Sequence, residues 1–453
     1  MANLTGVDRF SRLARLRQPA AAVALLLGLA LADFAKVANA QTAQPTPAVS
    51  SPTAVEWRDG DRVVLLGGAF IERLQTYGYL ETELISALPD RNITFRNLGW
   101  SGDTVWGEAR AVFGGPNDGF TRLLNDVKIA KPTMILVQYG GNEAHAGTAG
   151  LSNYVAGLNR LLDSLGETKA RLVLLSPIAR EAAPAPLPSP TAYNENVRQY
   201  SEAMREVAQR RGIAFIDIRD LLENPPDVGN ADGRRPLRLT DNGQHLTEIG
   251  YAVTAPRLAA RLGVDATPGR LDLDVARMTA DARGGKVANL SKKDGGVSFE
   301  FAPRVLPHPT AYDNRVATGA GELARAARRI RLPGDTTTVA VTGLAPGKHA
   351  LSVDGQELAV GDHEQWVRGI AVDIAADRER ADKIRDLAYD KNVLFFHRHR
   401  PQNETYLFLF RKHEQGNNAV EIPQFDPLIE EKERAIAALR TPVSRSFTLK
   451  PVK

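Results

Sequence analysis

Four short stretches between residues 62 and 247 hold the positions where chemistry could be done. The first, RVVLLGGAF (Arg62–Phe70), is a run of β-branched and leucine residues that stops at a glycine pair and delivers Ala69. The second, NLGWSGDT (Asn97–Thr104), offers the backbone N–H of Gly102. The third, GGN (Gly140–Asn142), offers the carboxamide of Asn142, and the fourth, DNGQHLT (Asp241–Thr247), brings His245 to the start of a helical pattern close to Asp241. Donors preorganised on a developing oxyanion are often the largest single contribution to acyl transfer. A histidine whose tautomer is fixed by a neighbouring carboxylate serves as general base. The candidate catalytic set is therefore Gly102 and Asn142 as oxyanion donors, His245 as base and Asp241 as its partner. No nucleophile stands at residue 69.

Two routes around Ala69 are open. Ser101 and Thr104 lie beside Gly102, where either hydroxyl could approach His245, although Ser and Thr in such turns usually bond to neighbouring backbone. Alternatively, His245 activates water directly and no nucleophilic side chain is needed. Trp100 and Trp106 read equally as core packing or as an apolar, sugar-binding wall. Trp100, Ser101 and Thr104 are thus the candidate substrate-binding residues.

These turns need a scaffold that brings them to one edge. Strand-like apolar runs occur at Arg62–Leu66, Ile93–Gly99, Thr133–Gly140, Arg171–Pro177 and Ala214–Ile218, with amphipathic stretches near a 3.6-residue period between them. Alternating strands and helices predict a parallel sheet with helical crossovers. Ligands bind such sheets beyond the carboxyl ends of the strands, where the strand order reverses. After Gly263 the texture changes to short strands divided by turns, LDLDVA, GVSFEFAP, TTTVAVTGL and HALSVDGQELAV, which predict a small β-sandwich-like unit. Helical spacing returns near residue 371.

The order of strand-1 glycine, NLGWSGDT, GGNE and a late Asp with His resembles the SGNH hydrolases, also called GDSL-type esterases, over roughly Val55–Gly263. The resemblance implies a flavodoxin-like three-layer α/β/α sandwich with a parallel sheet, followed here by a small β-rich unit and C-terminal helices. In that family the first block is Gly-Asp-Ser, the serine being nucleophile and its N–H part of the oxyanion hole, and the last block is Asp-x-x-His. Gly102, Asn142 and His245 carry over. The nucleophile position is Ala69, the residue three before His245 is Asn242, with Asp241 one further back, and Glu143 stands where aspartate is commoner. The resemblance implies a hydrolase acting on ester bonds, acetylated carbohydrate among them, with an incomplete triad. The alternative is an inactive binding module for a glycan or ester ligand, and a third reading is an interaction protein acting through its C-terminal part. No cofactor or metal is implied.

Composition narrows the classes further. The chain has 453 residues, a formal charge of +4 and no cysteine, which excludes disulfides, thiol catalysis, cysteine-ligated metal and a lipoprotein anchor. Residues 1–40 hold five basic against two acidic residues, so the remainder is nearly neutral and gives no charge argument for nucleic acid. An arginine-bearing start, the apolar run Ala20–Ala32 and Ala38-Asn39-Ala40 predict a signal peptide, hence export to the periplasm or beyond and no membrane attachment after cleavage, the alternative being an uncleaved membrane anchor. The predicted organisation is signal peptide 1–40, linker 41–54, hydrolase-type domain 55–263, β-rich unit 264–370 and helical segment 371–453. In the last, His397 and His399 could form a metal pair, while Arg398, Arg400, Arg411, Lys412 and His413 could contact an anion or form a solvated face. The Pro401–Glu404 segment could reach back toward the cleft of the first domain.

Overall fold

Residues 62–67 show why the first strand is internal: from Val63 onward β1 (Arg62–Gly67) is buried on both faces. Val63 and Leu65 enter one apolar core while Val64 and Leu66 enter another, as the two-residue period of a strand requires. The computed structural model describes residues 55–225, 238–266, 269–293, 295–311, 332, 335–414 and 418–452. The signal peptide and linker expected over 1–54 lie outside the described residues. Among these residues no helix is long and apolar enough to cross a membrane.

With β2 (Thr94–Asn97), β3 (Met134–Gln138), β4 (Arg171–Leu175) and β5 (Ala214–Ile216), β1 forms a five-stranded parallel sheet in the order β2-β1-β3-β4-β5. This is the flavodoxin-like order, whose reversal falls between β1 and β3. One face carries α1 (Ala69–Leu74), α2 (Tyr79–Ala87) and α6 (Glu248–Arg261); the other carries α3 (Pro116–Ala130), α4 (Leu151–Gly166) and α5 (Thr191–Arg211). The single amphipathic run after β1 divides into α1 and α2 at Gly78, where φ is +68° and a side chain would be strained.

Among the described residues, nine strands make the second unit. β6 (Arg270–Asp274), β7 (Thr279–Arg283), β10 (Thr337–Thr342) and β13 (Ile370–Val372) form one sheet. The other contains β8 (Gly285–Lys293), β9 (Gly296–Pro303), β11 (Lys348–Val353), β12 (Gln356–Asp362) and β14 (Arg445–Pro451). Phe299, Phe301 and Phe447 pack with Leu271, Val339 and the buried Trp366 in its core, Trp366 being carried by the short α7 (His363–Arg368). The helices expected within 371–453 are α8 (Ala375–His399), α9 (Glu404–Leu407) and α10 (Phe425–Leu439), after which the chain returns as β14 between β11 and β9. His397 and His399 lie on α8, not on a strand.

Candidate active site

The turn after β1 is fixed by close packing. A β-carbon on Gly67 would stand 2.4 Å from the Gln138 carbonyl oxygen, and one on Gly99 would meet the backbone nitrogen of Glu72 at 2.1 Å. Glycine at these positions lets β1, β3 and the second polar block close on the first residues of α1. Ala69 begins that helix, so its N–H has no intrahelical acceptor. Ala69, Arg73, Tyr139, Asn142, Tyr193 and His245 line one narrow cleft at the carboxyl ends of β1 and β3, with a free volume of about 70 Å³. The structure thus brings Asn142 and His245 of the predicted set to the position of the missing nucleophile.

Asn142 is held by its neighbours. Its Nδ2 donates to the Asp103 carbonyl oxygen at 2.7 Å and would lie 3.5 Å from a β-carbon at Gly68. Asp103 is fixed in turn, for its carboxylate accepts from Arg110 Nε at 2.7 Å and from the Tyr139 hydroxyl at 2.8 Å, all three side chains being buried. Behind Asn142, the Glu143 carboxylate accepts from the backbone N–H groups of Val105 and Gly140, each at 2.9 Å. Burial pushes the Glu143 carboxyl up to about 7 against those two hydrogen bonds, which favour the charged form.

His245 is held differently from the expectation. The Asn242 Oδ1 accepts from the backbone N–H of Gln244 at 3.1 Å and of His245 at 2.9 Å. That leaves the Asn242 Nδ2 facing His245 Nδ1 at 3.3 Å. Because an amide N–H donates, Nδ1 is the acceptor and the imidazole proton sits on Nε2. Asp241 points elsewhere: its carboxylate lies 3.9 Å from Arg73 and is largely exposed, while its N–H donates to the His245 carbonyl at 2.8 Å. Burial, then Arg73 and Arg180, lower the His245 pKa, while Asp241 raises it.

Other expected participants stand outside the cleft. Gly102 has φ +79° and occupies the exposed tip of a turn closed by Asp103 N–H to the Trp100 carbonyl, so Asp103, not Gly102, lines the cleft. Ser101 donates its N–H to Glu72, and the Thr104 hydroxyl donates to Glu108 and accepts from Trp106 N–H. Neither residue lines the cleft. Trp100 is buried with the guanidinium groups of Arg400, Arg122 and Arg110 at 3.7, 4.9 and 5.3 Å from its ring. Of the two readings of Trp100, core packing is the one that fits this burial. Trp106 packs against Gly157, where a β-carbon would meet its ring at 2.6 Å. Among the cations expected to meet an anion, Arg398 pairs with Asp426, Arg400 with Glu72 and Arg411 with Glu414. Glu404 reaches Arg122 on α3.

The sequence reading overlooked Arg73 and Arg180. Arg73 follows Ala69 by four residues and so shares its helix face, a spacing visible in the sequence. Arg180 stacks on Tyr193 at 3.7 Å, donates to Gln244 at 2.5 Å and approaches His145 Nε2 at 2.9 Å. Its place beside Tyr193 and Gln244 comes from the loop after β4, and no spacing pattern announced it.

Residues 72–253 match the GDSL-like lipase/acylhydrolase family. They form a GDSL-like lipase/acylhydrolase domain. The match begins at Glu72, just beyond Ala69. No curated protein matches the sequence. A gut microbial diltiazem-metabolizing enzyme shares the fold over 88% of this chain and 99% of its own, with a TM-score of 0.68 and 18% identity. An acetylxylan esterase from Geobacillus stearothermophilus aligns with 46% of this chain and 96% of its own at 17% identity and a TM-score of 0.35. The first of these likenesses extends past the GDSL-like domain into the β-sandwich and the C-terminal helices.

Proposed function

We propose that the GDSL-like domain hydrolyses small ester substrates, acetylated carbohydrates among them, by direct attack of water and without an acyl-enzyme. The observation that carries this reading is the meeting of Asn142, His245 and Ala69 in one cleft at the switch point of the sheet. The ester carbonyl oxygen would accept from Asn142 Nδ2 and from the Ala69 N–H, and charge developing on it would be stabilised by donors already in place. The attacking water would pass its proton to His245 Nε2, which requires the tautomer that Asn242 disfavours. In serine proteases, an asparagine in place of the orienting aspartate costs about 10⁴ in turnover. Slow hydrolysis follows from that cost. The segment over residues 1–40 supports export, so the substrate would be met in the periplasm or outside the cell.

A second reading is favoured by one observation, the Asn242 carboxamide on His245 Nδ1. With its proton on Nε2, His245 becomes a third donor beside Asn142 and Arg73, and the cleft holds an ester or glycan without cleaving it. Hydrolysis of aryl acetates and acetylated xylo-oligosaccharides by the chain from Gln41 onward, beside His245→Ala, Asn242→Asp and Ala69→Ser, separates the two. Hydrolase function predicts slow turnover in the parent, loss in His245→Ala and a gain of about 10²–10⁴ in Asn242→Asp. A parent as inactive as His245→Ala that still retains the acetylated sugar would establish the binding reading instead.

A further inference from the structure

A second cavity, away from the cleft, lies between α3, the 110–114 segment and the region where α8 gives way to α9, with a free volume of about 700 Å³. This is within the size range of small-molecule sites. Its rim carries Phe113, Ile129 and Phe408, which are 68, 51 and 50% exposed. Apolar side chains so exposed around a concavity mark a place where something apolar is bound.

The floor is polar and incompletely satisfied. His399 is buried and stacks on Phe395, and its Nδ1–H donates to the Phe395 carbonyl at 3.0 Å on its own helix. Nε2 is therefore a bare acceptor, and among the described residues it has no partner. Burial drives the ring down to about 3, so it stays neutral. Arg110 Nη1, fully buried, likewise has no hydrogen-bond acceptor among the described residues; Asp126 Oδ2, 3.9 Å away and beyond a direct bond, has no hydrogen-bond partner either. Buried polar atoms without partners are rare in proteins and each costs free energy. Here one donor, Arg110 Nη1, and two acceptors, His399 Nε2 and Asp126 Oδ2, belong to residues that line the same cavity.

The geometry points to a binding site for a neutral aromatic alcohol or phenol. The hydroxyl would donate to His399 Nε2 and accept from Arg110 Nη1, the two things one hydroxyl can do at once, while its ring occupies the space below Phe113 and Phe408. The lining charges, Arg110, Arg122 and Arg398 against Asp118, Asp126 and Glu404, balance, which disfavours an ionic ligand. This site is independent of ester hydrolysis in the cleft.

Equilibrium dialysis of the full chain against 2-naphthol and 2-methoxynaphthalene tests it, because the ether keeps the ring and lacks the donor. The expected result is one naphthol per chain, bound about five-fold more tightly than the ether, as loss of about one net hydrogen bond requires. Asn125→Trp, at an exposed position on α3 that lines the cavity, should weaken naphthol binding ten-fold or more, and His245→Ala should leave it unchanged. Equal retention of naphthol and ether, retention unaffected by Asn125→Trp, or no retention of either would overturn the proposal. So would a dimer in solution that Asn125→Trp dissociates, since a second copy would then be what covers the rim.

Discussion

His245 is held by Asn242 on one side and surrounded by two guanidinium groups. Removing a positive neighbour stabilises the charged imidazole, so Arg73→Gln should raise the His245 pKa, and Asp241→Asn should lower it further. A histidine acting as base works when neutral, so the hydrolysis rate should rise with pH and level off above the imidazole pKa. That plateau is expected at a lower pH than an ordinary histidine gives, and Arg73→Gln should move it upward. NMR titration of the ring beside the pH–rate profile checks both; a profile that Arg73→Gln leaves in place would remove His245 from the base role. Asn242→Asp should shift the ring proton from Nε2 to Nδ1, because a carboxylate can only accept there, and ring nitrogen shifts report it directly. Much of this was legible in the sequence. Ala69, Asn242 and His245 stand in recognisable blocks, and Arg73 is four residues from Ala69. The burial of Trp100 was not legible, because the arginines that enclose it are drawn from positions 110, 122 and 400.

The turn between β2 and α3 and the one after β3 are joined by a buried charge. Arg110 and Tyr139 both bind the Asp103 carboxylate, while the Asp103 carbonyl holds Asn142 in the cleft. Breaking a buried pair leaves the surviving charge without compensation, so Asp103→Asn should cost about 3–5 kcal/mol. Tyr139→Phe deletes one hydrogen bond to a charged acceptor and should cost about 1.5–3 kcal/mol. Urea unfolding measures both, and near-equal losses would mean that the Arg110 charge is compensated by Asp126 instead. At this scale the continuously apolar strands β1, β3 and β4 were readable because both faces of the sheet are covered. The strands β7 and β8 escaped notice because their side chains are mostly exposed and polar, so burial imprints no apolar alternation on them.

In the whole molecule, the described residues from 55 onward belong to one compact unit, although the sequence texture suggested three successive parts. The reason lies at the edge of the parallel sheet. β2 is an edge strand, and α8 and α10 cover it: Lys391 on α8 donates to the Phe95 carbonyl at 3.0 Å and to Glu81 on α2 at 2.5 Å, and Arg96 pairs with Glu433 on α10. Asn392 adds a donor to Glu81 at 2.7 Å. The chain then leaves α10 to enter the middle of a sandwich sheet as β14, burying Phe447 and Leu449. A sheet edge is capped and a sandwich completed by the same C-terminal segment, and long-range closures of this kind leave no local signature in the sequence. Removing residues 371–453 should therefore damage both units, giving a product without a single cooperative unfolding transition. Lys391→Met tests the edge alone. It leaves the Glu81 carboxylate buried with Asn392 as its remaining donor, so stability should fall by about 3–5 kcal/mol, whereas Lys391→Met with Glu81→Leu should recover most of that loss, because an apolar pair needs no charge compensation. If Lys391→Met unfolds in urea at the parent's midpoint, α8 is an ornament on the sheet edge, not part of what holds β2 in place.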